Sequence, residues 1–230
     1  MAMARPVYAV FVAGGSGTRM GGGVPKQFLE LGGIPVLQRT VEAFLSAEPA
    51  AHVITVLPAG HVDEWKELCL RHAVSFPQTI VKGGITRFHS VLAALEKVPD
   101  GAVVSIHDGV RPFVPPTLVR AMLDRMAAPG GPEALIPVLP VTDTLRCTLP
   151  GSPAPDRSTL VAVQTPQMFL SEKIKAAYRQ PYDISFTDDA TVAERSGMVI
   201  STIQGDKFNI KITTPQDLRL AEMLLVDSSR

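Results

Sequence analysis

A chain of 230 residues with 46% hydrophobic and 19% charged positions has enough apolar content to bury a core, which argues against disorder and suits one α/β domain. Its 22 basic and 22 acidic residues cancel, so nucleic acid is not an expected partner, and any phosphate site must be a local concentration of cations. No apolar run approaches the roughly 20 residues needed to span a membrane; residues 1–6 lack the pattern of a secretory signal, and Cys69 and Cys147 show no metal-type spacing, so a cytoplasmic, reduced setting is expected.

Residues 7–12, Val-Tyr-Ala-Val-Phe-Val, predict a buried strand. The loop after it, 13–27, reads A-G-G-S-G-T-R-M-G-G-G-V-P-K-Q and holds six glycines. Glycines let a backbone approach a ligand closely and turn its N–H groups inward as an anion nest. Arg19 and Lys26 are the only charges in that loop, which therefore looks built for phosphates. It is not a P-loop, because Lys26 lies between Pro25 and Gln27 rather than before a hydroxyl. It is not a dinucleotide fingerprint either: Met20 stands where the third glycine belongs, and the second strand ends at Val56-Leu57-Pro58 without an acid for the ribose.

Downstream, a helix is expected over 35–46 with Val36, Leu37, Val41, Phe44 and Leu45 at helical spacing, then a strand over 52–57. A polar helix over 62–71 has Trp65 and Leu68 inward, with Trp65 read as core rather than as a base-stacking platform. A strand over 79–82 ends at Gly83-Gly84, and a helix starts near Arg87. A strand over 102–107 ends at Asp108, and a helix over 116–126 follows. This alternation predicts a Rossmann-like α/β fold, a mostly parallel sheet with helices on both faces, whose ligands bind beyond the carboxyl ends of the strands.

The second half is less regular. A strand is expected over 134–138. Between 142 and 163, Pro150, Gly151, Pro153 and Pro155 separate two β-leaning flanks, 144–149 and 159–163, which predicts a two-stranded hairpin arm. A lone hairpin is marginal in water, so a second subunit is the natural surface for it to pack on, and a homodimer is expected. A helix over 171–178, a helix capped at Thr187-Asp188-Asp189 and stopped by Gly197, a strand over 199–204 and a helix from Thr214-Pro215 to about Val226 complete one domain over 1–230. No repeat or linker divides the chain.

The loop pattern G-x-G-x-R-M followed by P-K-Q resembles that of the nucleotidyltransferases that join a sugar or polyol phosphate to a nucleoside triphosphate. With G-G-I-T-R-F-H-S-V, H-D-G-V-R-P-F, V-T-D-T, Q-T-P-Q, F-T-D-D-A and F-N-I-K-I-T-T-P in order, the resemblance covers nearly the whole chain and is to the 2-C-methyl-D-erythritol 4-phosphate cytidylyltransferase family. It implies CTP and a polyol phosphate as substrates and Mg²⁺ or another divalent cation as cofactor. Arg19, Lys26 and Lys211 match the family's catalytic cations. Ala13, Gly14, Gly15, Gly17, Gly84, Arg87 and Ser90 match its nucleotide-binding segments. Asp108, which also matches the acid near the metal, joins Arg111, Thr144, Arg157, Thr165 and Thr187 as polyol-phosphate positions. Thr144 and Arg157 lie on the arm that, in the family, reaches into the neighbouring subunit.

Two departures stand out: Ala13-Gly14-Gly15 where A-A-G is common, and Ile85 where an acid often follows the paired glycines. The ribitol-5-phosphate cytidylyltransferases share the same loops, some with A-G-G at this position. A non-catalytic nucleotide-binding regulator is a further alternative; such a protein would be expected to lose Lys26 or Lys211. In-line attack by a phosphate oxygen on the α-phosphorus needs no general base, because that phosphate is already an anion with a second pKa of about 6. His107 therefore reads as packing or support for the site rather than as a base.

Overall fold

The structure, a computed structural model, describes residues 5–15 and 24–227. In chain order it contains β1 (Val7–Val12), β2 (Glu30–Leu31), β3 (Ile34–Pro35), α1 (Val36–Leu45), β4 (His52–Leu57), α2 (Val62–Arg71), β5 (Gln78–Lys82), α3 (Arg87–Leu95) and β6 (Val103–Asp108). There follow α4 (Pro116–Ala127), β7 (Ala134–Pro140), β8 (Val161–Val163), β9 (Gln167–Leu170), α5 (Ser171–Ala177), α6 (Asp189–Arg195), β10 (Ser201–Gln204) and α7 (Pro215–Asp227). An eight-stranded sheet has the order β10-β7-β9-β6-β1-β4-β5, with β8 paired to β7. The β5-β4-β1-β6 half is parallel throughout.

Strand periodicity builds the two layers. Along β1, Ala9 and Phe11 face the side covered by α1, α2 and α4, where they meet Leu37, Val41, Phe44, Trp65 and Met122. Val10 faces the other side, with Phe88, Val91, Ile174 and Val192 of α3, α5 and α6. Both faces are buried, as a continuous apolar strand requires. Trp65 is core: it stacks on Phe28 at 5.7 Å between ring centroids, and its Nε1 donates to Gln78 Oε1 at 3.1 Å. Thr214 accepts a hydrogen bond from Asp217 N at 3.3 Å at the head of α7, which packs near the β2–β3 ribbon around Leu31, Val36, Val110, Ile212 and Ala221. Among the described residues no helix is long and apolar enough to cross a membrane.

Two expectations need correction. No hairpin joins 144–149 to 159–163. The first flank carries no strand, and Val161–Val163 pairs antiparallel with Val138–Pro140 instead, because β7 runs two residues further than expected and offers a longer edge. The second is β9, a strand where none was expected ahead of the helix over 171–178. It inserts antiparallel between β6 and β7, pairing Ile106 with Gln167 and Leu135 with Met168. β8 and β9 thus run along β7 as one path broken at Gln164–Pro166, where the Thr165–Pro166 bond is cis. The break sets Thr165 beside the carboxyl end of β6.

Candidate active site

Strand register brings the loop residues to one level. Val12 is opposite both Val56 and Asp108, and Leu57 is opposite Lys82, so β1, β4, β5 and β6 end together. The chain leaving β1 is pinned where Ala13 N–H donates to Val56 O at 2.9 Å. The buried Gln27 donates Nε2–H to Ala13 O at 2.7 Å, tying the returning limb of the loop to its start and bringing Lys26 beside Gly15. Gln27 is a site-building residue that the sequence reading had used only as part of the P-K-Q motif.

A cavity of about 270 Å³ opens there, lined by Ala13, Gly14, Gly15, Lys26, Gly84, Arg87, Ser90, Asp108 and Lys211, among others. Gly84 must be glycine, since a Cβ would come within 2.4 Å of His89 Cβ. Thr86 caps α3, accepting from His89 N. Ser90 braces the turn from inside: its Oγ accepts Gly84 N–H at 3.1 Å and donates to Thr86 O at 2.9 Å. Ile85 is 93% exposed on the rim.

Arg87 grips Asp189 with both Nη atoms, at 2.8 and 2.5 Å, and Asp189 also accepts the Tyr178 hydroxyl at 2.6 Å. Burial works against the Arg87 charge, but the carboxylates of Asp189 and then Asp108 outweigh it, and its pKa is raised. Asp189 is fully buried, whereas its neighbour Asp188 is the actual cap of α6, accepting Thr191 N–H at 2.9 Å. Both acids were expected as capping residues, and no local pattern marks Asp189 as the partner of Arg87.

Asp108 sits at the centre. Its Oδ2 accepts Lys211 Nζ at 2.9 Å and Arg111 Nε at 3.2 Å. Burial pushes its carboxyl up, but Lys211, Arg87 and Arg111 more than offset this and hold it well below the usual carboxylate range. Lys211 is delivered by a stretch anchored where Ile212 N–H donates to Val110 O at 2.9 Å, and Arg111 Nη1 donates to Asn209 O at 2.7 Å. Asn209 in turn donates Nδ2–H to Thr165 O at 2.8 Å.

Beyond Asp108 lies a second cavity of about 370 Å³, whose lining includes Arg87, Asp108, Arg111, Thr165, Thr187 and Lys211. The two cavities share Arg87, Asp108 and Lys211. Gln167 of β9 holds the far wall by donating to Asp188 Oδ2 at 2.8 Å and accepting Ala190 N–H at 2.9 Å. The structure does not bring Thr144 or Arg157 to either cavity. Both are exposed on the 141–160 segment, where Arg157 donates to Thr142 O at 2.8 Å and lines a separate cavity of about 500 Å³ with Val138 and Gln204. Arg19 and Gly17 lie outside the described residues. Among the described residues, no group of three or more His, Cys, Asp or Glu is placed to hold a metal ion. Cys69 and Cys147 are both free.

The family model for 2-C-methyl-D-erythritol 4-phosphate cytidylyltransferase, IspD, matches residues 7–227. Proteins of that name from Phocaeicola vulgatus and Porphyromonas gingivalis are 45% and 47% identical, over 95% of this chain in each case and 99% and 97% of their own lengths. Among solved structures, the 4-diphosphocytidyl-2C-methyl-D-erythritol synthase of Anaerococcus prevotii superposes with a TM-score of 0.81 at 25% identity, covering 97% of each chain. The 2-C-methyl-D-erythritol 4-phosphate cytidylyltransferase of Thermus thermophilus gives 0.73 at 31% identity, over 95% of this chain and 98% of that one. Sequence, fold and the paired cavities agree: this chain belongs to the IspD family of cytidylyltransferases.

Proposed function

We infer that this enzyme transfers the cytidylyl group of CTP to 2-C-methyl-D-erythritol 4-phosphate, a step of non-mevalonate isoprenoid biosynthesis. The observation that carries the reading is the pair of cavities meeting at Arg87, Asp108 and Lys211, one walled by glycine backbone and Lys26, the other by Arg111, Thr165 and Thr187. The first suits a nucleoside triphosphate and the second a compact phosphorylated polyol.

A phosphate oxygen of the polyol phosphate attacks the α-phosphorus. A new P–O bond forms, the bond from the α-phosphorus to its bridging oxygen breaks, and pyrophosphate leaves with that electron pair. Both reactants are anions, so repulsion and orientation are the obstacles, and the site answers them with aimed positive charge in a sheltered cleft. Lys26, Lys211 and Arg19 supply it, with the loop N–H groups. No base is needed, and His107 does not act as one: burial holds its pKa down at about 3, so it is a very weak base.

A divalent cation such as Mg²⁺ fits Asp108. Its ion pairs to Lys211 and Arg111 fall on Oδ2, it lines both cavities, and one carboxylate with substrate phosphates is a common Mg²⁺ environment. Bound there it would offset phosphate charge.

We also propose a cytoplasmic homodimer in which Thr144 and Arg157 serve the partner's polyol-phosphate cavity. Their exposure, away from the cavities of their own chain, supports this. Sedimentation should show a dimer. A mixture of inactive Lys26→Ala and Arg157→Ala chains should recover activity in hybrid dimers, whereas no recovery would contradict the crossing arm.

The direct test is pyrophosphate release from CTP with a panel of polyol phosphates. Methylerythritol phosphate should be preferred by a wide margin, and a preference for ribitol 5-phosphate would overturn the assignment.

A further inference from the structure

The second cavity is polar almost throughout, with one exception. Among the described residues that line it, Val163 is the only one whose side chain has no polar atom; the wall around it includes Arg111, Thr165, Thr187, Asp188 and Lys211. Val163 ends β8, opposite Val138 of β7, and the chain then turns inward: Val163 is 42% exposed, whereas Gln164 and Thr165 are buried. The inner end of the cavity thus holds Thr165 and the buried Asp108 with its partners Lys211 and Arg111, and the apolar side chain stands towards the mouth. Val161, two residues back along the strand, lines the separate cavity beside Arg157 instead.

A phosphorylated polyol that fills such a cavity sets its phosphate among the cations and its hydroxyls against hydroxyl, amide and carboxylate groups. None of those parts is a match for a wall of pure hydrocarbon. A hydroxyl brought against Val163 would give up water without gaining a hydrogen bond. 2-C-methyl-D-erythritol 4-phosphate carries one hydrocarbon branch, on its second carbon, two carbons away from the one that bears the phosphate. That methyl is the part of the molecule that a half-exposed valine can bury, and it lies towards the end away from the phosphate.

We propose that Val163 is a specificity-determining residue, whose side chain packs on the 2-C-methyl branch and so selects this substrate over an unbranched polyol phosphate. The inference rests on the second cavity being the polyol-phosphate site. Losing one methyl from a ligand held in an apolar pocket costs about 10–200-fold in selectivity. One valine at a cavity mouth is less than an enclosed pocket, so the lower end of that range applies.

The test is pyrophosphate release by the full chain from CTP with 2-C-methylerythritol 4-phosphate and with erythritol 4-phosphate, which differ only in that methyl, comparing kcat/KM for each. The native enzyme should prefer the methylated substrate by roughly tenfold. Val163→Thr keeps the β-branched shape and the strand preference but sets a hydroxyl on the wall, and at a half-exposed position it opens no cavity in the core. It should lower kcat/KM for the methylated substrate roughly fivefold, leave that for erythritol 4-phosphate within about twofold, and leave KM for CTP unchanged. Val163→Ile should hold the native preference. A threonine variant as selective as the native enzyme, an equal loss on both substrates, or an isoleucine variant as unselective as the threonine one would overturn the proposal. The native enzyme separates the two ways of failing: if it turns over neither substrate, the functional reading falls and this inference with it, whereas a native preference that survives in Val163→Thr overturns the inference alone.

Discussion

The first cavity has a stretch of wall made by backbone: Ala13, Gly14, Gly15 and Gly84 sit where parallel strands end, and Ala13 N–H and Gly83 N–H each donate to a carbonyl of β4. The cavity across Asp108 is walled by side chains brought from far apart, Arg111, Thr165, Thr187 and Lys211, and held by the antiparallel β9 with Gln167 and Asn209. A backbone-walled site recognises what every triphosphate shares and depends on glycine. A side-chain-walled site selects a particular acceptor and depends on the network behind it. Substitutions should therefore separate the two cavities, except at the residues that belong to both.

Asp189 is the first place to press, because it holds Arg87 at the shared wall. Removing one partner of a buried pair leaves an uncompensated charge, so Asp189→Ala should cost about 3–5 kcal/mol in urea unfolding and impair binding of both substrates. A cost below about 1 kcal/mol would mean that Arg87 is not anchored as described. Next comes Lys26→Ala, which should lower turnover by roughly 10²–10³-fold, on the scale of one lost transition-state stabiliser, with the melting temperature unchanged. Near-normal turnover would remove Lys26 from the mechanism.

A matched pair then tests the separation itself. Gly84→Ala drives a methyl against His89 and should raise KM for CTP on the order of tenfold while sparing the polyol phosphate; Thr187→Val should do the reverse to a similar degree. If both variants moved both constants, the cavities would not be independent.

The smallest effect is expected at Glu172, which receives Arg5 at 2.9 Å and the Gly101 N–H at 3.2 Å on the opposite end of the sheet. The Arg5 hydrogen bond lowers its carboxyl to about 2, so its stabilisation is present above the ordinary glutamate range and is lost as pH falls towards that value. The pair is partly exposed, so Glu172→Gln should cost less than about 1 kcal/mol at neutral pH and nothing below pH of about 2, by denaturant titration at several pH values.

The same contrast explains what was legible in the sequence. The parallel half was readable because each element carries its own periodicity: α2 falls at Val62–Arg71 and Trp65 is core, as the spacing predicts. His107 is buried against Thr165, a bond that had no local signal. β9 was missed because Gln167–Leu170 owes its strand conformation to insertion between β6 and β7, not to its four side chains. The Arg87–Asp189 pair spans 102 residues, and nothing nearby distinguishes Asp189 from Asp188. The expected hairpin failed for a related reason: composition marked the flanks as β-leaning, but the strand partner was the longer edge of β7. Local pattern placed the elements and the backbone-walled cavity; the side-chain-walled one depends on long-range pairing.

The most direct measurement is a crystal structure of the enzyme with a non-hydrolysable CTP analogue, methylerythritol phosphate and Mg²⁺. The triphosphate is expected on Ala13–Gly15 backbone and Lys26, the polyol phosphate against Arg111, Thr165 and Thr187, and the α-phosphorus between them beside Lys211. A polyol phosphate bound away from the second cavity, or an α-phosphorus out of reach of Lys211, would contradict this arrangement.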